Sequence, residues 1–168
     1  MGLLSKKNKP SQKAYAVVTG AGSGIGRSFA LELAKRGGDV ICADIDLSSA
    51  QETVDLIQSM TSTSAYAVHC DVGLKESVHT LAEQAEQLLG HPVTLLINNA
   101  GVGLGGKFDE VSLEDWQWCM HVNLWGVIHG CHYFVPKFKQ QGFGAIINVA
   151  SAASYTAAPE MTAYNVTK

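Results

Sequence analysis

The sequence contains little charge, little proline and no uninterrupted hydrophobic run of membrane-spanning length. Charged residues make up 16% of the chain and apolar residues 46%, with only 4 prolines. This composition excludes disordered and collagen-like proteins. Gly, Thr and charged residues interrupt every apolar run, so no stretch approaches the roughly 18 residues that a membrane helix requires. The sequence therefore predicts a globular chain without a membrane span.

An excess of basic residues is also missing. The chain has 12 Lys and Arg against 15 Asp and Glu, which gives a formal net charge of −3. Proteins that bind nucleic acid or an anionic membrane gain affinity by neutralising phosphates with basic side chains. We therefore expect neither partner and look for a small-molecule ligand instead.

Paired cysteines and metal motifs are missing as well. No two of the four cysteines form a Cys-x-x-Cys pair, and buried free thiols behave as small hydrophobic groups. His129 and His132 share a helical face, but nearby Cys119 and Cys131 are predicted to point into an apolar stripe, so no four-ligand set converges. We expect free thiols, no metal, and a reducing, cytoplasmic location.

Strand-like and helix-like segments alternate along the chain. Short β-branched or apolar runs predict strands at 14–19, 40–43, 65–70, 93–97 and 145–149. Helical periodicity predicts helices at 24–36, 47–60, 78–89, 114–139 and 163–168. Such alternation is typical of right-handed βαβ units. We predict an α/β fold, a Rossmann-like doubly wound parallel sheet over residues 14–168, after a polar tail at 1–13.

A glycine-rich loop, TGAGSGIG at 19–26, follows the first strand. Its backbone N–H groups and the helix behind it favour an anion. Glycines also serve tight turns, so the loop alone leaves nucleotide binding open. Asp44 ends the second strand 18 residues after Gly26, where a carboxylate can accept hydrogen bonds from an adenosine ribose. A solvated turn residue is the alternative reading of Asp44, but the two signals together predict dinucleotide binding.

Asp44 also bears on the choice between NAD and NADP. A 2′-phosphate about 5 Å from this carboxylate meets roughly 1.5 kcal/mol of repulsion even with water-like screening, more than tenfold in affinity. Neither Ser23 nor Ile45, which could otherwise be phosphate-binding basic residues, is basic. Arg27 and Arg36 are the basic residues that could act against this argument. We expect NAD, with NADP disfavoured.

Later motifs complete a family pattern. Asn98–Gly101 reads NNAG after the fourth strand, Asn123 lies on the long helix, and Ser151 precedes Tyr164 of a Tyr-x-x-x-Lys motif by 13 residues. With the Thr-Gly-x-x-x-Gly-x-Gly loop, this order resembles the short-chain dehydrogenase/reductases over residues 14–168. The resemblance implies an NAD-dependent oxidoreductase that moves a hydride between nicotinamide and a carbonyl or secondary alcohol.

The resemblance also implies individual site residues. The implied catalytic residues are Asn123, Ser151, Tyr164 and Lys168. The implied cofactor-binding residues are Gly20, Ser23, Gly24, Ile25, Gly26, Asp44, Asp71, Val72, Asn99, Tyr164 and Lys168. Asp71 and Val72 would flank the adenine, Asn99 would brace the sheet beside the cofactor, and Asn123 would hold a water that connects Lys168 to solvent.

The pairing of Tyr164 with Lys168 makes chemical sense without the family. A phenol keeps its proton at neutral pH, so a tyrosine that exchanges protons needs a nearby cation. Lys168 lies one helical turn later on the same face and can supply it. A simple surface pair is the alternative for these two residues alone. Because the other motifs of the family are also present, Tyr164 is predicted to be the general acid and base. Ser151 is predicted to bind the substrate oxygen.

The predicted helix 114–139 has two distinctive faces. An apolar stripe is expected at Trp116, Met120, Leu124, Val127, Cys131, Phe134 and Phe138. Asn123 lies at its edge, either as a satisfied core amide or as a site residue. A second, semi-polar face is expected at Trp118, His121, Trp125, Ile128, His129 and His132. Such faces are typical of interfaces, so we predict a homodimer or homotetramer through this helix.

The chain ends at Lys168, whereas the family it resembles continues through two more strand–helix units of 30 or more residues each. We therefore expect a domain that is incomplete at its C-terminus, truncated after the fifth strand, and inactive as a 168-residue chain. A non-catalytic nucleotide-binding or interaction module is the alternative function. A cluster of apolar residues near the site weakly favours an apolar substrate: Leu104, Ala152, Ala153, Tyr155 and Ala157.

Overall fold

Five parallel strands form one sheet in the computed structural model, which describes residues 9–168. The strands are β1 (Tyr15–Thr19), β2 (Asp39–Asp44), β3 (Ala65–His69), β4 (Leu95–Asn98) and β5 (Ala145–Asn148). The helices are α1 (Gly24–Lys35), α2 (Leu47–Met60), α3 (Lys75–Leu89), α4 (Leu113–Met120), α5 (Gly126–Gln141) and α6 (Thr162–Thr167). Residues 1–8 of the predicted polar tail lie outside the described residues.

The strand order is β3-β2-β1-β4-β5, with β1 in the centre. Val17 of β1 pairs with Ile41 of β2 on one side and with Leu96 of β4 on the other. The chain therefore builds outward from β1 in one direction, then returns and builds in the other. A crevice opens at such a reversal, at the carboxyl ends of the strands, and ligands of α/β proteins bind there. The predicted Rossmann-like α/β fold is confirmed.

Helices cover both faces of the sheet. Residues of α1 and α2, such as Ala30 and Val54, pack on one face. Residues of α3 and α5, such as Leu81 and Phe134, pack on the other. Strands covered on both sides need apolar residues at successive positions, which explains why β1, β2 and β4 read as continuous apolar runs. Strand β5 is an edge of the sheet among residues 9–168, and its last two residues are exposed.

The predicted helix at 114–139 is present as a helical segment over 113–141, but a π turn at His121–Trp125 separates α4 from α5. The N–H of Gly126 donates to the carbonyl of His121, five residues earlier. An extra residue in one turn offsets the faces before and after it by about 100°. Trp118 and Trp125, predicted on one face, therefore point in different directions.

The buried side of this helical segment also differs from the prediction. Its buried residues are Cys119, Asn123, Gly126, Gly130, Phe134 and Phe138, whereas Trp116, Met120, Leu124, Val127 and Cys131 are only partly buried. A Cβ at Gly130 would collide with the Asn98 side chain, and one at Gly126 would lie 2.8 Å from Val72 Cγ2. The helix backbone thus approaches the sheet at glycines, which a search for large apolar residues overlooks.

Helical spacing alone places Ile25 on the same face of α1 as Ala30 and Leu33, but Ile25 is 63% exposed. The buried residues are Gly26, Ala30, Leu33 and Ala34. Ile25 instead projects into the cleft described below, because small residues carry the contact between α1 and the sheet.

The described residues contain neither a membrane-spanning helix nor a metal cluster. No helix within 9–168 combines the length and the hydropathy needed to cross a bilayer. No group of three or more His, Cys, Asp or Glu side chains in that range is placed to hold a metal ion. The four cysteines are free thiols. Burial raises the pKa of Cys42 to about 12 and that of Cys70 to about 11, so both stay protonated.

Candidate active site

A cleft of about 520 Å³ opens at the carboxyl edge of the sheet, where the chain reverses direction. Nine residues predicted to bind the cofactor line it: Gly20, Ser23, Gly24, Ile25, Gly26, Asp44, Asp71, Val72 and Asn99. The lining also includes Ile45, Cys70, Ala100, Gly101, Val102, Trp118 and Val122. The strands β1, β2, β3 and β4 bring these residues together because each ends at this edge.

The glycine loop is held against the segment that follows β4. Asn99 Nδ2 donates to the carbonyl of Thr19 at 2.9 Å and to that of Gly20 at 3.3 Å. A Cβ at Gly26 would collide with the Gly20 carbonyl oxygen, so only glycine lets the loop turn into α1. Ser23 precedes α1 without a side-chain capping bond. The N-terminal N–H groups of α1 therefore lie at the cleft without a hydrogen bond from the Ser23 side chain, an arrangement suited to an anion.

Asp44 stands at the end of β2 and is fixed by two backbone donors. Its Oδ2 accepts from the N–H of Gly22 at 2.8 Å, and its Oδ1 accepts from the N–H of Asp46 at 3.0 Å. The carboxylate is thereby held against the glycine loop and faces the cleft. The hydrogen bonds leave lone pairs on both oxygens for a further ligand.

The two arginines that could favour a phosphate near Asp44 are engaged elsewhere. The Arg27 guanidinium donates to the Gly22 carbonyl and to Glu52 Oε2, the latter at 3.0 Å. Arg36 pairs with Glu32 at 2.8 Å one helical turn away. Neither residue lines the cleft. Among the residues that line the cleft, the charged side chains are the carboxylates of Asp44 and Asp71.

The segment after β3 forms another wall of the cleft. Asp71 Oδ1 accepts from the N–H of Gly73 at 2.9 Å, and the Asp71 N–H donates to Ser77 Oγ at 3.1 Å. The Nδ1–H of His129 donates to the Val72 carbonyl at 2.9 Å. His129, predicted on a self-association face, thus supports the cleft wall from behind.

Asn123 is buried in the middle of the π turn, with 2% of its surface exposed. Its Oδ1 accepts from the Val102 N–H at 2.8 Å, and its Nδ2 donates to the Val102 carbonyl at 2.9 Å. The same Nδ2 donates to Thr167 Oγ1 at 3.1 Å. One amide therefore ties together the segment after β4, the π turn and α6.

Tyr164 and Lys168 lie near this junction. The Lys168 Nζ is 5.8 Å from the centroid of the Tyr164 ring. A Cβ at Gly101 would lie 3.1 Å from Lys168 Nζ and 3.2 Å from Asn123 Oδ1. These three side chains and the cleft lining at Gly101 therefore share one region. Small size at position 101 leaves room for the lysine.

Ser151 lies in a separate element that packs against α6. Its Oγ accepts from the Ala153 N–H at 3.2 Å and caps the 3₁₀ turn Ala152–Ser154. The turn is held by its own residues, and Ser151 is only partly buried. The serine hydroxyl retains its proton as a donor for another oxygen.

Sequence reasoning missed seven residues of the cleft lining, and Trp118 is the largest of them. Ala100, Gly101 and Val102 follow Asn99 directly, so the end of β4 carries a signal that could have found them. Ile45 likewise follows Asp44 after β2. Trp118 had no such signal, because it lies on α4 and not at the end of a strand.

Comparisons with known proteins identify the family of the chain. The sequence model of the short chain dehydrogenase family matches residues 14–168. Cyclohexanol dehydrogenase of Acinetobacter sp. (strain SE19) is 38% identical over 162 residues, covering 96% of this chain and 63% of that protein. The 7alpha-hydroxysteroid dehydrogenase of Escherichia coli (strain K12) is 33% identical over 153 residues, covering 91% of this chain and 59% of that protein.

A solved structure is also similar. The short chain dehydrogenase/reductase from Burkholderia phymatum in complex with NAD has a TM-score of 0.89 and 39% identity, covering 95% of this chain and 56% of that one. The chain thus spans less than two thirds of each of these relatives. With the family match extending over residues 14–168, the chain belongs to the short-chain dehydrogenase/reductase family of oxidoreductases.

Proposed function

We propose that the protein is an NAD-dependent oxidoreductase that transfers a hydride between nicotinamide and a carbonyl or secondary alcohol, with Tyr164 as general acid and base. One observation carries the proposal. The cleft lined by the glycine loop and Asp44 continues to Gly101, beside the position of Lys168 and Asn123. A single site would therefore hold a dinucleotide and place its reactive end near a proton-transfer group.

The residues of the cleft fit a dinucleotide. The glycine loop and the start of α1 would hold the diphosphate, since that helix has no side-chain cap. Asp44 would accept hydrogen bonds from the adenosine ribose with its remaining lone pairs. Asp71 and Val72 would flank the adenine, and Asn99 would support the loop that carries the diphosphate.

We propose NAD as the cofactor in preference to NADP. A 2′-phosphate would be placed beside the Asp44 carboxylate, whereas Arg27 and Arg36 are already paired with glutamates. Charge repulsion of roughly 1.5 kcal/mol corresponds to more than tenfold weaker binding. The position of the carboxylate supports this choice.

The chemistry divides between the cofactor and the side chains of this chain. When bound, the nicotinamide supplies or accepts the hydride. In the reductive direction Tyr164 would donate its phenolic proton to the substrate oxygen, and Ser151 would donate a hydrogen bond to the same oxygen. The Lys168 ammonium would stabilise the phenolate that remains. In the oxidative direction the same groups would remove the proton from the alcohol.

Asn123 is proposed to act on Lys168 through position rather than by touching the substrate. Its side-chain amide is used by Val102 and Thr167, so it holds α6 against the segment after β4. A water held near Asn123 would connect Lys168 to solvent and restore the proton of Tyr164. This arrangement would keep the lysine beside Gly101.

We propose an apolar cyclic secondary alcohol as the substrate class. Tyr155, whose side chain is 94% exposed, and Leu104 lie on segments that flank the Ser151 turn and Gly101. Two relatives, cyclohexanol dehydrogenase and 7alpha-hydroxysteroid dehydrogenase, are also named for alcohols whose hydroxyl group is on a ring carbon. Both features favour an apolar ring over a charged substrate.

Two further features belong to the proposal. Trp125 and Ile128 expose apolar surface on the π turn and α5, which supports self-association through this helical segment as a dimer or tetramer. The four free thiols support a reducing, cytoplasmic location.

The test is a spectrophotometric assay of the full-length gene product. Nicotinamide absorbance is followed with NAD or NADH and a panel of cyclic secondary alcohols and their ketones, charged hydroxy acids serving as the contrast class. We expect turnover with the apolar ring compounds and its loss in Ser151→Ala. Ser59→Ala, an exposed serine of α2, is the control and should be fully active. An absence of turnover with NAD across the panel, in protein that binds NAD, would instead favour a nucleotide-binding module.

A further inference from the structure

We propose that Trp118 forms the outer wall of the adenine end of the cofactor cleft and stacks against the base, which makes it a residue that determines dinucleotide affinity. The inference rests on the proposed function, since it assumes that the cleft binds a dinucleotide. It adds a residue of α4 to the proposed cofactor contacts, which otherwise lie at the ends of strands and the start of α1.

Trp118 stands where two cavities meet. The main cleft adjoins a smaller cavity of about 380 Å³, and both are lined by Ile45, Asp71, Trp118 and Val122. The lining of the smaller cavity includes Leu74 and Gln117 and contains no residue of the glycine loop. Trp118 therefore occupies the end of the main cleft that is farther from the diphosphate position.

The chemistry of this end suits a purine. Asp44 would hold the ribose, and Asp71 follows β3 on the neighbouring wall. Ile45 is 63% exposed and lines the same space from the end of β2. An aliphatic side chain and an indole at one site offer two apolar surfaces to a flat aromatic base, and such stacking is favourable for any base.

The indole is available for this contact. Trp118 is 48% exposed, and among residues 9–168 no other aromatic ring packs against it, whereas Trp116 contacts Phe108 and Trp125 contacts His129. Ligand pockets are lined mainly by apolar and aromatic side chains, so an exposed indole in the lining of this cleft can contact a ligand bound there. The π turn offsets Trp118 from Trp125, so the two residues serve different surfaces.

The experiment separates the adenine contact from the nicotinamide chemistry. ADP-ribose, which carries the adenine half without nicotinamide, is titrated calorimetrically into the full-length gene product. Trp118→Ala is expected to raise its Kd about tenfold, within the range of base–aromatic stacking. Trp118→Phe should keep most of the affinity because a ring remains. Phe143→Ala, at an exposed aromatic residue that does not line the cleft, is the control and should bind as the wild type does.

Fluorescence gives a second readout that does not depend on the alanine variant folding. AMP should quench tryptophan emission in the wild type and in Trp125→Phe, but not in Trp118→Phe. The inference would be overturned if Trp118→Ala bound ADP-ribose as tightly as the wild type, or if AMP still quenched the emission of Trp118→Phe. In either case the proposed function would stand if Asp44→Ala weakened the binding of ADP-ribose. Failure of the wild type to bind ADP-ribose and NAD would overturn both.

Discussion

The two ends of the proposed site are built differently. At the proposed cofactor end, the strands β1, β2 and β4 are almost entirely buried, and backbone donors fix Asp44 at the end of β2. At the proposed catalytic end, only Ala163 and Thr167 are buried in the segment from Ser151 to Lys168. The first region is shaped by packing on both faces of the sheet. The second is positioned by a few side-chain hydrogen bonds.

We therefore expect that cofactor binding and chemistry can be changed separately by substitution. A substitution on α6 should leave the packing of the glycine loop unaltered, because hydrogen bonds between Asn99 and Thr19 hold the loop. Asn123 joins the two regions through Val102 and Thr167. Substitutions at four positions test this difference between the two regions. In order of decreasing expected effect, they are at Tyr164, Asn123, Trp125 and Asp46.

The largest effect is expected for Tyr164→Phe in the full-length gene product. The variant removes the proposed proton donor and leaves Asp44 and the glycine loop unchanged. Turnover should fall by at least the ~10²-fold typical of general acid–base catalysis. The Kd for NAD, measured by calorimetry, should stay within about twofold. A fully active phenylalanine variant would remove Tyr164 from the mechanism.

Asn123→Ala should destabilise the junction between the two regions. It removes the side-chain partner of the Val102 N–H and carbonyl, whereas the Thr167 hydroxyl keeps its hydrogen bond to the Tyr164 carbonyl. A buried polar group without a partner costs about 1–3 kcal/mol, so the free energy of unfolding should fall by that amount in chemical denaturation. Asn165→Ala is the matched control, because Asn165 Oδ1 is buried without a hydrogen-bond partner in the described part of the chain. Equal losses in the two variants would contradict the special role of Asn123.

Trp125→Glu tests whether the exposed helical surface is an interface. A charge in place of the indole should prevent burial of the apolar surface around Trp125 and Ile128. The sedimentation coefficient of the full-length gene product should fall to that of a smaller species. Phe143→Glu, at an exposed aromatic residue beyond α5, should leave it unchanged. An unaltered coefficient in Trp125→Glu would place the interface elsewhere.

The smallest effect concerns Asp46, the exposed N-cap of α2. Hydrogen bonds from the Ser48 and Ser49 hydroxyls, followed by the backbone N–H of Ser49, lower its pKa to about 2. The ionised form therefore stabilises the fold above the ordinary value of 3.8, and this contribution disappears as the pH falls through about 2. Asp46→Ala should lower the Tm at neutral pH, and its difference from the wild type should shrink as the pH falls from 3.8 through about 2. A difference that persists unchanged at low pH would contradict the carboxylate's role.

The sequence predicted the cofactor side of the fold more completely than the helical wall. Continuous apolar runs identified all five strands, and the polar residues at their ends, such as Asp44 and Asn99, follow from the parallel topology. The contact of Gly130 with Asn98 left no periodic signal, because glycine contributes no apolar side chain. The π turn at 121–125 rotates the face of α4 that carries Trp118 relative to the following helix α5. A spacing of 3.6 residues per turn could not predict this turn. The joining role of Asn123 depends on α6, which is distant in sequence.

The proposal that Asp44 makes the site prefer NAD to NADP is tested by a calorimetric titration of both cofactors into the wild type and Asp44→Asn, which measures binding without any catalytic step. We expect the wild type to bind NAD more than tenfold more tightly than NADP. Asp44→Asn should lose most of this preference, whereas Asp46→Asn, two residues away, should retain it. Equal affinities in the wild type, tighter binding of NADP, or a preference unaffected by Asp44→Asn would contradict the proposal.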